Sequence, residues 1–289
     1  MTTLSPPVLS PARRDDSRIF TVSVLMSTYA AESASNLEAA LDSIERQSVR
    51  PNQLVLVIDG PICGEQEAVI ARHCEESGIA TILVRLPHNR GLAEAMNAGL
   101  KRCTGEFVMR MDSDDISEPD RVERQLIYAQ AHRDIDVISS WSEEFFEDGA
   151  PSQLKVSPTS HDAIIRALHW RNILVHPTVL IKKTALVAVD GYRATYGRLE
   201  DYDLFVRLAL AGAKFHVIPK ALVKVRSSTA QRGRRGGLNY VLNEMRFRFE
   251  CLRTGFLTKS QFVAITLMYS VFRLVSGPVR RRLYALART

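Results

Sequence analysis

Four short apolar runs punctuate the first 111 residues, and a stretch of different character follows each of the first three. The runs are residues 21–27 (TVSVLMS), 53–58 (QLVLVI), 81–86 (TILVRL) and 106–111 (EFVMRM). They are too short for helices and rich in β-branched and large apolar side chains, as buried strands are. Between the first two, Leu37, Ala40, Leu41 and Ile44 fall at i, i+3, i+4 and i+7. That spacing predicts an amphipathic helix over 36–44, capped by Ser35 or Asn36. Further helices are expected near 64–77 and from Gly91 onward. Strands separated by helices are joined by crossovers, which makes the sheet mostly parallel. Burial on both faces accounts for continuous apolar runs instead of alternating ones.

In such sheets ligands bind beyond the carboxyl ends of the strands. Those ends carry Ser27-Thr28-Tyr29, Asp59 and Asp112-Ser113-Asp114-Asp115, which are therefore expected on one rim. The second half is more mixed. Helices are predicted over 119–133, 160–169, 200–210, 238–254 and 260–275, and strands over 136–141 and 176–181. Residues 226–237 (RSSTAQRGRRGG) read as a mobile basic loop.

At 289 residues, with 46% apolar and 24% charged side chains, the chain suits one large domain or two small ones with a core able to support a cleft. Disordered, collagenous and disulfide-scaffold classes are excluded by that balance. Cysteines at 63, 74, 103 and 251 lack C-x-x-C spacing and read as reduced thiols in a cytosolic setting. Residues 1–18 have no apolar signal core and read as a flexible arm.

Charge is unevenly spread. Residues 226–289 hold 13 Lys and Arg against 2 Asp and Glu, a balance of +11, which leaves −5 for residues 1–225 and +6 overall. A basic C-terminus points to phosphates or an anionic membrane surface. From Ser260 to Phe272 there are 13 uncharged residues, short of the roughly 20 that a membrane span needs. The stretch fits an interfacial helix, followed by Arg280-Arg281-Arg282, or else a helix packed on the domain.

Asp112-Ser113-Asp114-Asp115 is the sharpest chemical feature. Three carboxylates in four residues repel one another, so a cation is expected, and hard oxygen donors suit Mg2+ or Mn2+. A calcium loop starting at Asp112 fails, because Ser117 stands where the turn needs Gly and Pro119 interrupts it. An acidic loop capping the next helix is the plainer alternative. Asp59-Gly60 is either a simple turn or an acceptor for a base N–H. Arg90-Gly91 is either a helix start or a phosphate contact with close backbone approach. Glu200 and Asp201 either complement the helix dipole or supply a general base. His176 is either a core histidine or a cleft residue.

Taken together, VSVLMSTY (22–29), LVLVIDG (54–60), NRGLAEAMNAG (89–99), MDSDD (111–115), HPTV (176–179), GY (191–192) and EDYDLFVRL (200–208) resemble the family-2 inverting glycosyltransferases of GT-A fold, over about residues 20–228. The bacterial exopolysaccharide and capsule branch is the nearest likeness. The resemblance implies a Rossmann-like, mostly parallel α/β sheet flanked by helices. It implies a GT-A domain over 19–228 and a basic helical extension over 229–289.

Residue by residue, it implies that Thr28, Tyr29 and Asp59 hold base and ribose. Asp112 and Asp114 form the D-x-D metal site, with Asp112 near ribose and sugar. Asp115 orients the sugar or the metal shell, and Asp201 is the catalytic base. Arg90 joins the donor contacts, and His176, Glu200, Arg226, Arg234 and Arg235 are acceptor or phosphate contacts. Ser27 stands where Pro is frequent in the family, and Ala30-Ala31 replaces the usual Asn-containing turn. The implied donor is a nucleotide-diphosphate sugar, with uridine first as the base and deoxythymidine and guanosine as the alternatives. The implied acceptor is a glycan, lipid-linked, reached from the cytoplasmic face of the bacterial inner membrane. No nucleic acid partner is expected. A sugar-phosphate nucleotidyltransferase would want a Gly-rich loop after the first strand, where STYAAESAS stands. A binding subunit that kept the fold without turnover is the non-enzymatic alternative.

Overall fold

The computed structural model describes residues 20–146, 149–227 and 238–274. Among the described residues nine strands form one sheet: β1 (Val22–Thr28), β2 (Gln53–Asp59), β3 (Ala80–Leu86), β4 (Phe107–Asp112), β5 (Ile116–Ser117), β6 (Val137–Phe146), β7 (Gln153–Lys155), β8 (Leu180–Lys182) and β9 (Phe215–Ser227). Their spatial order is β3-β2-β1-β4-β8-β6-β9-β5, with β7 paired on β6. Strands β3, β2, β1 and β4 are all parallel. β8 runs antiparallel to β4 and β6, and β6 pairs parallel with β9. The mostly parallel α/β architecture expected from the strand–helix alternation is the one found.

Helices cover both faces. On one side lie α1 (Ala34–Glu45), α2 (Gly64–Glu76) and α4 (Arg121–Ala131). Their Leu37, Leu41, Ile70 and Leu126 pack against Val24, Met26, Leu54 and Leu56. On the other lie α3 (Leu92–Leu100), α5 (His161–Leu168), α6 (Lys183–Ala188) and α7 (Glu200–Leu210), packed against Leu25, Val55 and Val57. The alternation follows from the period of two along each strand. Strand β3 departs from the expected full burial, because it sits at the sheet edge and alternates exposed and half-buried positions.

Three local readings are corrected. Ser33 caps α1, its hydroxyl accepting from Asn36 N at 3.1 Å, in place of Ser35 or Asn36. Residues His176–Thr178 form a single 3-10 turn, and the strand is confined to Leu180–Lys182. Pro177 starts that turn, and the Thr178 hydroxyl donates back to Val175 O at 2.7 Å. Residues 226 and 227, read as loop, end strand β9.

The C-terminal helices α8 (Leu238–Arg253) and α9 (Lys259–Leu274) share the larger core. Phe247, Cys251, Phe256, Leu257 and Ile265 are buried with Tyr202 and Phe205 of α7. Each large apolar side chain there contributes on the order of 1.5–3 kcal/mol. Four such residues rival the about 5–15 kcal/mol by which a whole domain is stable.

Candidate active site

The sheet brings the predicted rim together. In the ladder Thr28 faces Ile58, and Ser27 faces Asp112, so the carboxyl ends of β1, β2 and β4 lie side by side. Thr28 is buried and its hydroxyl has no partner. Tyr29 is exposed at the mouth, and its carbonyl accepts from Gln66 Nε2 at 3.0 Å.

Asp59 is buried and grips the loop that precedes α3. Its Oδ1 accepts from Arg90 N at 2.7 Å and its Oδ2 from Gly91 N at 2.9 Å. Gly60 (φ +88°) lies so close to this loop that a Cβ would stand 2.6 Å from Asn89 N. Gly91 (φ +85°) caps α3 with open space beside it, which leaves the helix N-terminus bare of side chain. The Arg90 guanidinium is half-exposed and pairs with Glu94 at 3.1 Å.

Asp112, Asp114 and Asp115 present carboxylate oxygens all within 4.8 Å of one another. Asp112 and Asp114 are half-buried, and Asp115 is buried. Asp115 Oδ1 accepts from Arg226 N at 2.8 Å, while Oδ2 is buried without a partner. Burial first, then the charges of Asp112 and Asp114, raise the Asp115 carboxyl well above the usual range. An all-oxygen donor set with an orphaned buried oxygen fits a hard divalent cation such as Mg2+ or Mn2+. Arg226 also donates from Nε to Asp114 O at 2.9 Å and stacks over the Phe145 ring at 4.8 Å. It ties the acidic loop to the end of β9.

Beneath this loop lies a residue that the sequence reading passed over. Arg110 is buried in β4 and ion-pairs with Asp112, while its Nε and Nη1 have no partner. Burial lowers its pKa, but Asp112 outweighs burial and the net shift is upward, so it stays a cation. A charge in the otherwise apolar run FVMRM was the available signal, since a buried charge needs an opposite one.

Beside Arg110, His176 Nε2 meets the Tyr192 hydroxyl at 3.1 Å, and both residues are buried. Burial, then the Arg110 charge, pull the imidazole well below its usual pKa, so it is neutral. His176 is thus a buried histidine beneath the rim.

Helix α7 brings Glu200 and Asp201 to the same region. Asp201 Oδ2 accepts from Asn172 Nδ2 at 2.8 Å, and its Oδ1 from Tyr202 N at 2.7 Å. Asn172 carried no sequence signal. Burial, then Asp201, push the Glu200 carboxyl up to about 7; Asp112 adds weakly to the rise and Arg110 opposes it. Glu200 of α7 thus lies within electrostatic reach of Arg110 and Asp112 of β4. Arg234 and Arg235 lie outside the described residues.

Residues 23–186 match the family described as Glycosyl transferase family 2. Among curated relatives, the chain is 33% identical over 249 residues to the amylovoran biosynthesis glycosyltransferase AmsE of Erwinia amylovora, covering 85% of this chain and 92% of that one. It is 32% identical over 263 residues to the UDP-Gal:alpha-D-GlcNAc-diphosphoundecaprenol beta-1,3-galactosyltransferase of Escherichia coli, covering 91% and 94%. Among solved structures, S. aureus TarS 1–349 in complex with UDP-GlcNAc superposes with a TM-score of 0.65 at 19% identity, over 80% of this chain and 66% of that one. That last likeness is one of fold.

Proposed function

Because the chain belongs to glycosyl transferase family 2, we propose that it moves a sugar from a UDP-linked donor to a hydroxyl of a lipid-linked diphosphate glycan, with inversion. The polymer served is of the exopolysaccharide, capsule or lipopolysaccharide type. The observation that carries the reading is the meeting of two acid groups. Asp112 ends β4 and Asp114 and Asp115 follow it, Glu200 and Asp201 open α7, and the Glu200 carboxyl feels the charges of Asp112 and Arg110. The Escherichia coli relative, named for a UDP-Gal donor and a GlcNAc-diphosphoundecaprenol acceptor, supports the substrate classes.

In this reading Thr28 and Tyr29 receive the base, and Asp59 shapes the loop around Arg90 and Gly91 toward the diphosphate. Asp112 and Asp114, with Asp115 behind them, would hold Mg2+ or Mn2+. That ion would supply charge neutralisation for the departing diphosphate, worth several kcal/mol. The Asp201 carboxylate takes the proton of the acceptor hydroxyl. The freed oxygen pair bonds to the anomeric carbon, and the bond to the diphosphate oxygen breaks with its electron pair leaving on UDP. One displacement inverts the configuration and requires no enzyme nucleophile.

The test is a thermal-shift panel of UDP, dTDP, GDP and CMP, each with and without Mn2+. A ligand at about 100 times its Kd adds ~2.7 kcal/mol of stability. UDP with Mn2+ is expected to raise the Tm, and UDP is then expected to be released from UDP-galactose or UDP-N-acetylglucosamine in the presence of an alkyl-diphosphate-GlcNAc acceptor. A panel without any shift overturns the donor reading. UDP binding without turnover favours a binding subunit.

We also assign the C-terminus to an anionic membrane surface. Among the described residues no helix is long and apolar enough to cross a membrane. Helix α9, however, leaves Val263, Leu267 and Met268 exposed, and α8 leaves Phe249 exposed. Deleting α8 would strip the core, so the exposed positions are the ones to change. The Leu267→Gln, Met268→Gln double variant is expected to keep the parental Tm and to co-sediment less with phosphatidylglycerol vesicles. Equal sedimentation would overturn the assignment.

A further inference from the structure

We propose that Arg248, on the C-terminal helix α8, is a positioning residue for the reaction, fixing from behind both segments that hold Asp201. The inference rests on the reading of Asp201 as the base. Arg248 is 3% exposed. Its Nη1 donates to the Tyr202 hydroxyl at 2.9 Å and to His169 O at 3.5 Å, and its Nη2 donates to Trp170 O at 3.1 Å. The guanidinium centre lies 5.0 Å from the Tyr202 ring, and buried Glu244 stands 3.8 Å away. The Tyr202 hydroxyl in turn donates to Leu168 O.

These contacts bracket Asp201. Tyr202 is its neighbour in the chain, and the Tyr202 amide bonds its Oδ1. Residues 168–170 lead directly to Asn172, whose side chain bonds its Oδ2. One guanidinium thus anchors the turn that carries the carboxylate and the segment that carries its hydrogen-bond donor. Acceptors lying in separate directions suit the planar fork of arginine and not the point charge of lysine. Reacting groups are sensitive to displacement on this scale, since a misplacement of about 1 Å can cost about 10²-fold in rate.

The experiment compares Arg248→Lys and Tyr202→Phe in the full chain, each alone and in an Asp201→Asn background. The assay is UDP release from UDP-galactose and UDP-N-acetylglucosamine with Mn2+ and the alkyl-diphosphate-GlcNAc acceptor. Each single variant is expected to lower kcat about tenfold while leaving donor KM and the UDP-induced Tm shift unchanged. In the Asp201→Asn background the same changes are expected to cost nothing further. Parental kcat overturns the proposal, as does an equal fall in both backgrounds. Should Arg248→Lys not fold, Tyr202→Phe decides by the same criteria, since it removes only a hydroxyl. If Asp201→Asn is itself fully active, the base reading fails and this proposal with it. An inactive Asp201→Asn with additive Arg248 effects overturns this proposal alone.

Discussion

Asp201→Asn will keep its affinity for the nucleotide donor and lose about 10²–10⁴-fold in kcat, the usual contribution of a positioned general base. The amide has the shape of the carboxylate, so α7 and its packing through Tyr202, Leu204 and Phe205 are undisturbed. One of the two bonds, from Asn172 or from the Tyr202 amide, is kept by the remaining carbonyl oxygen. What is lost is the site for the acceptor proton. The proposed donor contacts lie at the ends of β1, β2 and β4, apart from the proposed base on α7, so binding and turnover are expected to separate. The measurement is the initial rate of UDP release at saturating donor, beside the Tm shift given by UDP. Glu200→Gln belongs in the same experiment, because Glu200, with its carboxyl near pKa 7, is the other group able to take a proton. A parental rate for Asp201→Asn with an inactive Glu200→Gln would move the base by one residue.

Asp114→Ala will remove the dependence of UDP binding on Mn2+ and lower turnover on the order of 10²-fold or more. Lewis-acid stabilisation of several kcal/mol is at stake, and each 1.4 kcal/mol is about tenfold in rate. The change keeps the tie from the acidic loop to β9, since Arg226 reaches Asp114 through the backbone carbonyl and Asp115 through its carboxylate. The check is the UDP thermal shift with and without Mn2+ in parent and variant. An Asp114→Ala protein whose UDP affinity still rises with Mn2+ would remove Asp114 from the cation site.

The rim was legible because it is local in the chain. Short apolar runs ending in Thr28, Asp59 and Asp112 announce both the strand and the place where it stops. The acids of 112–115 and 200–201 were visible because carboxylates cluster there against their own repulsion. The long strand β9 was hidden. Pro219 and Lys220 interrupt its pattern, and in the sheet they are passed over by the register shift opposite Ser140 and Trp141, where a missing N–H is harmless. Asn172 and Arg248 were invisible for another reason. Each acts through a partner chosen by tertiary packing: Asp201 across 29 positions and Tyr202 across 46. Sequence spacing carries no record of such pairs.

The clamp of the acidic loop sets an order of assembly. Strand β5 follows directly on the acids, yet it pairs with β9, and Asp115 is bonded by the Arg226 amide 111 residues later. Strands β1, β2 and β3 pair across about 30 residues each and have the short loop closures that favour early formation. The pairing that pins the carboxylates waits for almost the whole chain. During synthesis from the N-terminus, a nascent chain that has not yet reached β9 lacks the strand that pins its acidic loop. The same dependence delays the fixed arrangement of the acidic loop until β9 has been made.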